Sequence, residues 1–319
     1  MQRMAKPAAG NFALFCLLTA APTVAQQCEP SSWGTEDQLG AANLMTNQSV
    51  LEALTLVRQG NVHPLGIVVP TDLPAFAPRQ MMLQVVQPGQ HHGRSLDGDY
   101  GWPMTYNDDV SQLWWGMGPQ IDGLGHLGEA GVFYNCNEGS EFASITGLER
   151  LGIEQIPPLV GRGVLIDLAE HFGVEALAAG QPVGSDDIAA AADAQGIEFA
   201  EGDVILLHTG WTDAKLEPEP ATWVATEPGI TNEAAEFLAT LRPMAVGADT
   251  WGVEAVPAVE GDRVFYGHVT LLRDNGIYIL ETMNTGRLAA EDVTEFLFVL
   301  GQARIEGAVQ MIINPVAIW

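Results

Sequence analysis

Three side chains that commonly bind metal ions or transfer protons lie close together in the chain: Gln120, Asp122 and His126. If residues 120–122 are extended, Gln120 and Asp122 point to one face, because alternate side chains of a strand do so. The glycine-rich residues 123–125 permit a tight turn that would bring His126 alongside. The segment therefore predicts that an amide oxygen, a carboxylate and an imidazole converge.

This set of donors suits a divalent metal ion. Carboxylate and amide oxygens are ligands for magnesium, calcium or manganese, and imidazole is a ligand for zinc, iron or manganese. The same residues also fit a buried strand end, at which Asp122 and His126 hydrogen-bond to the backbone of a glycine-rich turn. The spacing alone leaves both interpretations open.

The segment resembles the signature of the cyclase family of metal-dependent hydrolases, which includes bacterial kynurenine formamidases and isatin hydrolases. That signature is His-x-Gly-Thr-His-x-Asp-x-Pro-x-His. On this chain its Asp falls on Asp122 and its last His on His126, whereas Gln120 and Gly116 stand in place of the other two histidines. The motif is therefore a variant in which two of the usual metal ligands are changed.

Other segments resemble the family along nearly all of the chain after the N-terminal segment. They are Trp33-Gly34 through Asp37 with Gly40 and Asn43-Leu44, Glu201 to Trp211, and Gly267-His268 with Gly276 to Glu281. The resemblance implies that His268 and Glu281 are also metal ligands. A turn signal at residues 274–276 lies between them and would let the flanking segments fold back on each other.

The resemblance thus implies one divalent metal ion, manganese or zinc, held by Gln120, Asp122, His268 and Glu281. His126 is either a fifth ligand or the catalytic base, which would carry a proton from water to the leaving group. A bound divalent ion lowers the pKa of water from about 16 to about 7 and polarises a carbonyl group. The implied activity resembles that of an arylformamidase: a metal-activated water cleaves a C–N or C–O bond of a small cyclic or aryl amide, lactam or lactone.

Another class of function stays open, because the loss of two usual ligands could leave an inactive cyclase-like protein that only binds a small molecule. Nucleophilic catalysis is not favoured, since the sequence has no Gly-x-Ser-x-Gly elbow. A glycine-rich phosphate loop and a dinucleotide fingerprint are also absent from the sequence.

Aromatic residues flank the motif and are candidates for stacking against an aromatic substrate, with ordinary core packing as the alternative. They are Trp114, Trp115, Phe133 and Tyr134. Further along, Asp249, Trp251 and Glu254 follow an apolar segment, a position at which α/β proteins often place pocket residues. For these three residues we favour ordinary capping or packing.

The N-terminus has the order of a secretory signal peptide. Arg3 and Lys6 precede the apolar run from Phe12 to Ala21, and small residues end at Ala25. We therefore expect cleavage after Ala25, a mature domain of residues 26–319, and a periplasmic or secreted location. The apolar run is too short for a membrane span, so no membrane association is expected after cleavage.

The chain is strongly acidic, with 13 basic and 40 acidic residues and a net charge of −27. Such a charge repels nucleic acid and anionic lipid. The expected partner is therefore a small-molecule substrate, and the family resemblance adds a homo-oligomer, either a dimer or a tetramer.

Two cysteines, Cys28 and Cys136, remain after cleavage in a compartment that favours disulfides. We predict that they pair, which requires Cα atoms within about 7 Å of each other. Two unpaired, buried thiols are the alternative.

Hydrophobic patterning predicts a single α/β domain. Strands are expected at residues 65–69, 81–86, 163–168, 204–208, 244–248 and 309–313, and helices at residues 49–59, 183–195, 232–241 and 290–300. The family resemblance implies a swivelling β/β/α arrangement, in which a barrel-like β core is surrounded by peripheral helices. The pattern of elements alone does not specify that arrangement.

Overall fold

A computed structural model describes residues 28–86 and 100–319. The predicted signal peptide, residues 1–25, lies outside the described residues. The strands are β1 (Val62–Pro64), β2 (Met81–Val86), β3 (Asp108–Leu113), β4 (Gln120–Asp122), β5 (Ala143–Ser144), β6 (Gly147–Leu148), β7 (Leu159–Asp167), β8 (Pro182–Val183), β9 (Val204–His208), β10 (Gly229–Ile230), β11 (Ala245–Ala248), β12 (Tyr278–Glu281), β13 (Glu295–Leu300), β14 (Gln310–Ile312) and β15 (Val316–Ile318).

Nine of these strands form one strongly curled sheet, in the order β1-β15-β13-β7-β9-β11-β12-β4-β14. The neighbours β7, β9, β11 and β12 run parallel at its centre. Every residue of β9, β11 and β12 is buried, and strands covered on both faces are continuous apolar runs in sequence. The protein is therefore the mixed α/β domain with a barrel-like β core that the sequence and its resemblance predicted.

Helices pack around this sheet. The α-helices are Asn47–Leu54, Gly139–Phe142, Leu168–Phe172, Ser185–Gln195, Trp211–Lys215, Pro220–Ala225, Asn232–Thr240, Tyr266–His268 and Gly286–Ala290, with 3-10 helices at Gly40–Leu44, Tyr134–Cys136 and Ile153–Gln155 and a π-helix at Val269–Asp274. The helices Ser185–Gln195 and Asn232–Thr240, which the sequence predicted closely, pack against each other. Small buried alanines on both helices permit this close approach.

The predicted strand at residues 65–69 is wrong. Leu65 is fully buried, but Val68 is 90% exposed, and the neighbouring strand is β1, which pairs with β15. Leu65 adds one backbone hydrogen bond of 2.7 Å to the carbonyl of Pro315. The apolar run therefore located a buried contact and misplaced the strand.

The predicted helix at residues 290–300 is also wrong. The chain forms a short helix that ends at Ala290, and residues 295–300 are β13, which lies between β7 and β15. Phe296 and Phe298 are fully buried. A short apolar run rich in aromatic residues fits either element, and pairing with β7 decides in favour of a strand.

The first predicted helix, at residues 49–59, begins and ends earlier than expected. It spans Asn47–Leu54, and a reciprocal capping box between Thr46 and Ser49 defines its first turn. Such caps satisfy backbone donors that have no partner within the helix. The capping residues, rather than the apolar spacing, therefore decide where this helix begins.

A disulfide joins Cys28 to Cys136, whose Cα atoms are 5.6 Å apart across a sequence separation of 108 residues. This confirms the predicted pairing. The backbone amide of Ser31 donates to Asn135 Oδ1 over 2.8 Å at the same place. The N-terminal segment is thus fastened to residues 135 and 136, which follow the motif in the chain.

No helix within residues 28–86 and 100–319 combines the length and the apolar character that a membrane span needs.

Candidate metal centre

Three neighbouring strands carry the polar side chains of the site. β4 lies between β12 and β14 and is antiparallel to both. The register places Gln120 opposite Glu281 and Asp122 opposite Gln310. Directly opposite residues of paired strands share a face, as do alternate residues of one strand. All four side chains therefore project from the same side of the sheet.

Asp122, His268 and Glu281 form a candidate metal-binding cluster, since one ligand atom of each lies within 4.8 Å of the others. His268 Nε2 is 3.2 Å from Glu281 Oε1 and 3.7 Å from Asp122 Oδ2. The three residues are only 0%, 4% and 3% exposed, respectively. Asp122 Oδ2 has no hydrogen-bond partner among the described residues. Because a buried, unpaired carboxylate oxygen is costly, these residues fit a divalent cation.

Gln120 lies inside the same cluster and is 2% exposed. Its amide nitrogen donates to Glu281 Oε2 and, over 3.3 Å, to Asp122 Oδ1. A half-turn of the amide exchanges its nitrogen and oxygen. The group would then present an oxygen to a cation held by the two carboxylates, as the proposed ligand role requires.

His268 is the last residue of the helix Tyr266–His268, and Glu254 orients its imidazole ring. Its carboxylate accepts hydrogen bonds from the backbone amides of Gly267 over 2.9 Å and His268 over 2.8 Å, and lies 2.7 Å from His268 Nδ1. Metal-binding imidazoles commonly rely on such a partner. For Glu254 the sequence had favoured ordinary capping or packing, and the structure gives it direct contact with the cluster.

Burial governs the electrostatics of the cluster. Burial and the nearby charge of Asp122 raise the pKa of Glu281 to about 7. Burial lowers the pKa of His268, but hydrogen bonds to Glu254 and Glu281 outweigh it and hold that pKa well above its ordinary value. Protons and a divalent ion therefore compete for the same atoms.

His126 stands at the edge of the cluster. Its backbone amide donates to the carbonyl of Gly123 over 3.0 Å, in the tight turn that the glycines predicted. Its Nε2 atom is 3.8 Å from Asp122 Oδ2. Burial lowers the pKa of His126 despite the charge of Asp122, so its imidazole is neutral and free to accept a proton near pH 7.

A cavity of about 220 Å³ opens onto the cluster. One wall is aromatic, because Trp251 stacks on Phe76 with ring centroids 5.6 Å apart and Phe265 packs edge-on against both. Arg79 and His126 also line the cavity. The cavity therefore combines an apolar wall with polar side chains.

The four aromatic residues predicted to contact substrate have other surroundings. The hydroxyl group of Tyr134 donates to Asp37 over 2.6 Å, and Phe133 packs edge-on against another phenylalanine. Trp115 packs against the core, and Trp114 is 41% exposed. None of the four is among the residues described as lining the cavity. Their role in substrate binding stays a prediction.

Two residues at the site, Arg79 and Gln310, were not predicted from the sequence. Arg79 Nη1 donates to the carbonyl oxygen of Gly116 over 2.5 Å at the cavity wall. Gln310 lies opposite Asp122 on β14. Neither belongs to a motif, and both reach the site from distant parts of the chain, so no local signal could have revealed them.

Known proteins share sequence features and the fold with this chain. The sequence model of the cyclase family matches residues 63–255, more than half of the 319 residues. A crystal structure described as that of a novel cyclase is 27% identical, with a TM-score of 0.79, and the alignment covers 90% of this chain and 98% of that chain.

Two further solved structures share the fold at lower identity. Isatin hydrolase A from Ralstonia solanacearum is 17% identical with a TM-score of 0.60, covering 86% of this chain and 97% of that chain. A predicted metal-dependent hydrolase from Bacillus stearothermophilus is 16% identical with a TM-score of 0.51, covering 82% of this chain and 98% of that chain. No curated protein matches this chain.

Proposed function

This chain belongs to the cyclase family, and from that premise we propose that it is a metal-dependent hydrolase of a small cyclic or aryl amide, lactam or lactone. One observation carries the proposal: three buried ligand atoms, from Asp122, His268 and Glu281, lie within 4.8 Å of one another beside a cavity that His268 and Glu281 help to line. Asp122 Oδ2, which has no hydrogen-bond partner within residues 28–86 and 100–319, lies 3.7 Å from His268 Nε2.

Asp122, His268 and Glu281 would hold one divalent ion, with Gln120 as a fourth ligand. Carboxylate and amide oxygens favour manganese, whereas the single imidazole also accepts zinc. When bound, such an ion makes water more acidic and polarises a carbonyl group. The buried carboxylates offset its charge.

His126 is the residue that we assign to proton transfer. It lines the cavity, and its Nε2 atom lies 3.8 Å from Asp122 Oδ2. Because burial lowers the pKa of His126, the imidazole is neutral near pH 7. It would accept a proton from the attacking water and deliver it to the leaving nitrogen or oxygen.

The lining of the cavity supports an aromatic or cyclic substrate. The stacked rings of Trp251 and Phe76 form a flat apolar wall, against which an aromatic ring packs favourably. Arg79 also lines the cavity, and its guanidinium group suits a carbonyl oxygen or the carboxylate that hydrolysis creates. The shared fold with isatin hydrolase A is compatible with this substrate class.

We also propose that the protein is exported to the periplasm or secreted. The disulfide between Cys28 and Cys136 supports this location, because disulfides persist in oxidising compartments and are rare in the cytosol. Intact mass spectrometry of the exported protein should find a chain that begins near Gln26. A mature chain that retains Met1 to Ala25 would overturn this location.

Metal analysis and a panel of amide, lactam and lactone substrates, with and without added manganese or zinc, test the proposed activity. Asp122→Asn should remove metal and turnover together, because the carboxylate holds the ion. His126→Ala should retain most of the metal and lose about 10²- to 10⁴-fold in rate. Asp186→Asn, at an exposed helix start, is the matched control and should behave as wild type.

Two results would change this picture. Full turnover by Asp122→Asn would overturn the metal-dependent mechanism, and metal binding without turnover on any substrate would favour a binding protein. If His126→Ala emptied the site as Asp122→Asn does, His126 would instead be a ligand.

A further inference from the structure

Gln310 reaches the candidate metal centre from β14. Its amide nitrogen lies 2.6 Å from Asp122 Oδ1 and 3.5 Å from His126 Nε2. The residue is 9% exposed. Gln310 therefore contacts both the carboxylate proposed to hold the ion and the imidazole proposed to move the proton.

The side chain of Gln310 fills the space beside Gly116. A Cβ atom at position 116 would lie 2.5 Å from Gln310 Oε1 and 2.8 Å from its Cδ atom. Non-bonded heavy atoms do not approach so closely, so a side chain at position 116 and the observed Gln310 side chain exclude each other. The backbone of Gly116 is not in the left-handed region. With Gln310 in its observed position, occupied space rather than backbone conformation therefore favours glycine there.

We propose that Gln310 is a ligand of the metal centre and takes the place of an imidazole from position 116. This inference rests on the proposed function, because it requires an ion at the site. The sequence resemblance aligns position 116 with a histidine of the signature, and the space that the Cβ atom of a side chain would enter there contains the Gln310 amide. Gln120 stands at the aligned position of the second histidine. Two amides, one from β4 and one from β14, therefore flank Asp122.

The orientation of the amide is compatible with this role. Its nitrogen now donates to Asp122 Oδ1, and its oxygen is the amide atom nearest to a Cβ atom at position 116, 2.5 Å away against 2.8 Å for the nitrogen. A half-turn about the last side-chain bond exchanges the two atoms. The oxygen would then lie beside the carboxylate of Asp122, whose Oδ2 atom has no hydrogen-bond partner among the described residues.

The exchange of imidazole for amide has a consequence for metal choice. With Gln120 and Gln310, the site offers two carboxylates, two amide oxygens and the one imidazole of His268. Oxygen donors suit manganese, whereas imidazole suits zinc. The wild-type site should therefore have a lower ratio of zinc to manganese affinity than the same site with an added histidine.

Calorimetric titration of the chelator-treated protein with manganese and with zinc tests the inference. Gln310→Ala should weaken manganese binding by about 10- to 100-fold. The double variant Gly116→His/Gln310→Ala should regain tight binding and raise the ratio of zinc to manganese affinity. Gln302→Ala, which removes an amide bonded to the carbonyls of Ile153 and Ile156, is the control and should bind as wild type.

A second variant and a spectrum separate a ligand from a merely structural residue. Gln310→Glu keeps an oxygen donor and should bind manganese at least as tightly as wild type, even if it is less stable. The visible absorption bands of bound cobalt(II) report its donor atoms, and they should differ between wild type and the double variant.

The outcomes distinguish this inference from the proposed function. If the wild-type protein binds neither manganese nor zinc, the proposed function fails. If wild type binds but Gln310→Ala binds within about twofold of it, with an unchanged cobalt spectrum, only the ligand role of Gln310 is overturned.

Discussion

At the scale of single residues, burial makes the pKa of each carboxyl group around the site depend on the charge of its neighbours. Glu227 is fully buried near the cluster, and its carboxyl accepts a hydrogen bond of 2.6 Å from the backbone amide of Trp251. Its other oxygen has no partner within the described part of the chain. Burial and the charge of Glu281 raise the pKa of Glu227 well above its ordinary value. The group is therefore stable as a neutral acid.

This raised pKa predicts how stability depends on pH. Above the ordinary pKa of a glutamate, the unfolded chain loses the proton while the folded protein keeps it, so folding stability falls as pH rises toward the folded pKa. Glu227→Gln stays neutral, and its free energy of unfolding should fall less between about pH 5 and pH 8. Urea unfolding of the chelator-treated protein at several pH values measures this.

An exposed residue provides the control for that experiment. Glu306→Gln, on the surface, should keep the pH dependence of wild type. If Glu227→Gln and wild type show the same pH dependence, Glu227 is ionised in the folded protein and the assignment of a neutral acid is wrong.

At the scale of elements, strand register brings the polar side chains of the site together. The segment after β11 contributes to the aromatic wall of the cavity. Trp251 follows β11 and is held by a hydrogen bond of 3.0 Å from its indole nitrogen to the carbonyl of Trp223. Its ring stacks on Phe76, which comes from a distant segment. The wall therefore depends on two separate parts of the chain.

Trp251→Leu should raise the KM for aromatic substrates by about two- to tenfold, the value of one aromatic contact, with little change in kcat. Steady-state kinetics on aryl and non-aryl substrates of the same bond type would show the effect on the aryl series alone. Trp114→Leu, at an exposed position away from the cavity, is the matched control. If Trp114→Leu raised KM and Trp251→Leu did not, the substrate would instead contact the aromatic residues that flank Gln120 and Asp122 in the chain, as the sequence predicted.

At the scale of the whole molecule, the disulfide closes a long section of the chain. Cys28 and Cys136 are separated by 108 residues, and a crosslink over such a loop restricts the unfolded chain strongly. The double variant Cys28→Ser/Cys136→Ser should lose about 2–5 kcal/mol in the free energy of unfolding. Denaturant unfolding measures the loss, and labelling of the denatured, unreduced wild type should find neither thiol free.

Metal affinity is the internal control for that variant, because neither cysteine touches the cluster of Asp122, His268 and Glu281. The folded double variant should bind manganese as wild type does. Unchanged stability would mean that the link between the N-terminal segment and the motif contributes nothing to folding.

Several features of this protein were determined by local sequence. The central strand at residues 204–208 was predictable, because a strand buried on both faces must be apolar at every position. Gln120 and Asp122 had to share a face once β4 was extended, since side chains alternate along a strand. The glycines after them had to form the turn that returns His126. Each of these features depends on residues that are neighbours in sequence.

Only the tertiary structure decided which distant residues meet that segment. β14 pairs with β4 across nearly two hundred residues, and this pairing brings Gln310 to Asp122. The same applies to Glu254 behind His268, to Arg79 at the cavity wall, and to residues 295–300, which pairing makes a strand. A local pattern fixes which face a side chain occupies, but the order and register of strands depend on how the whole core packs. The complete set of donors around the candidate metal site is therefore a property of the fold.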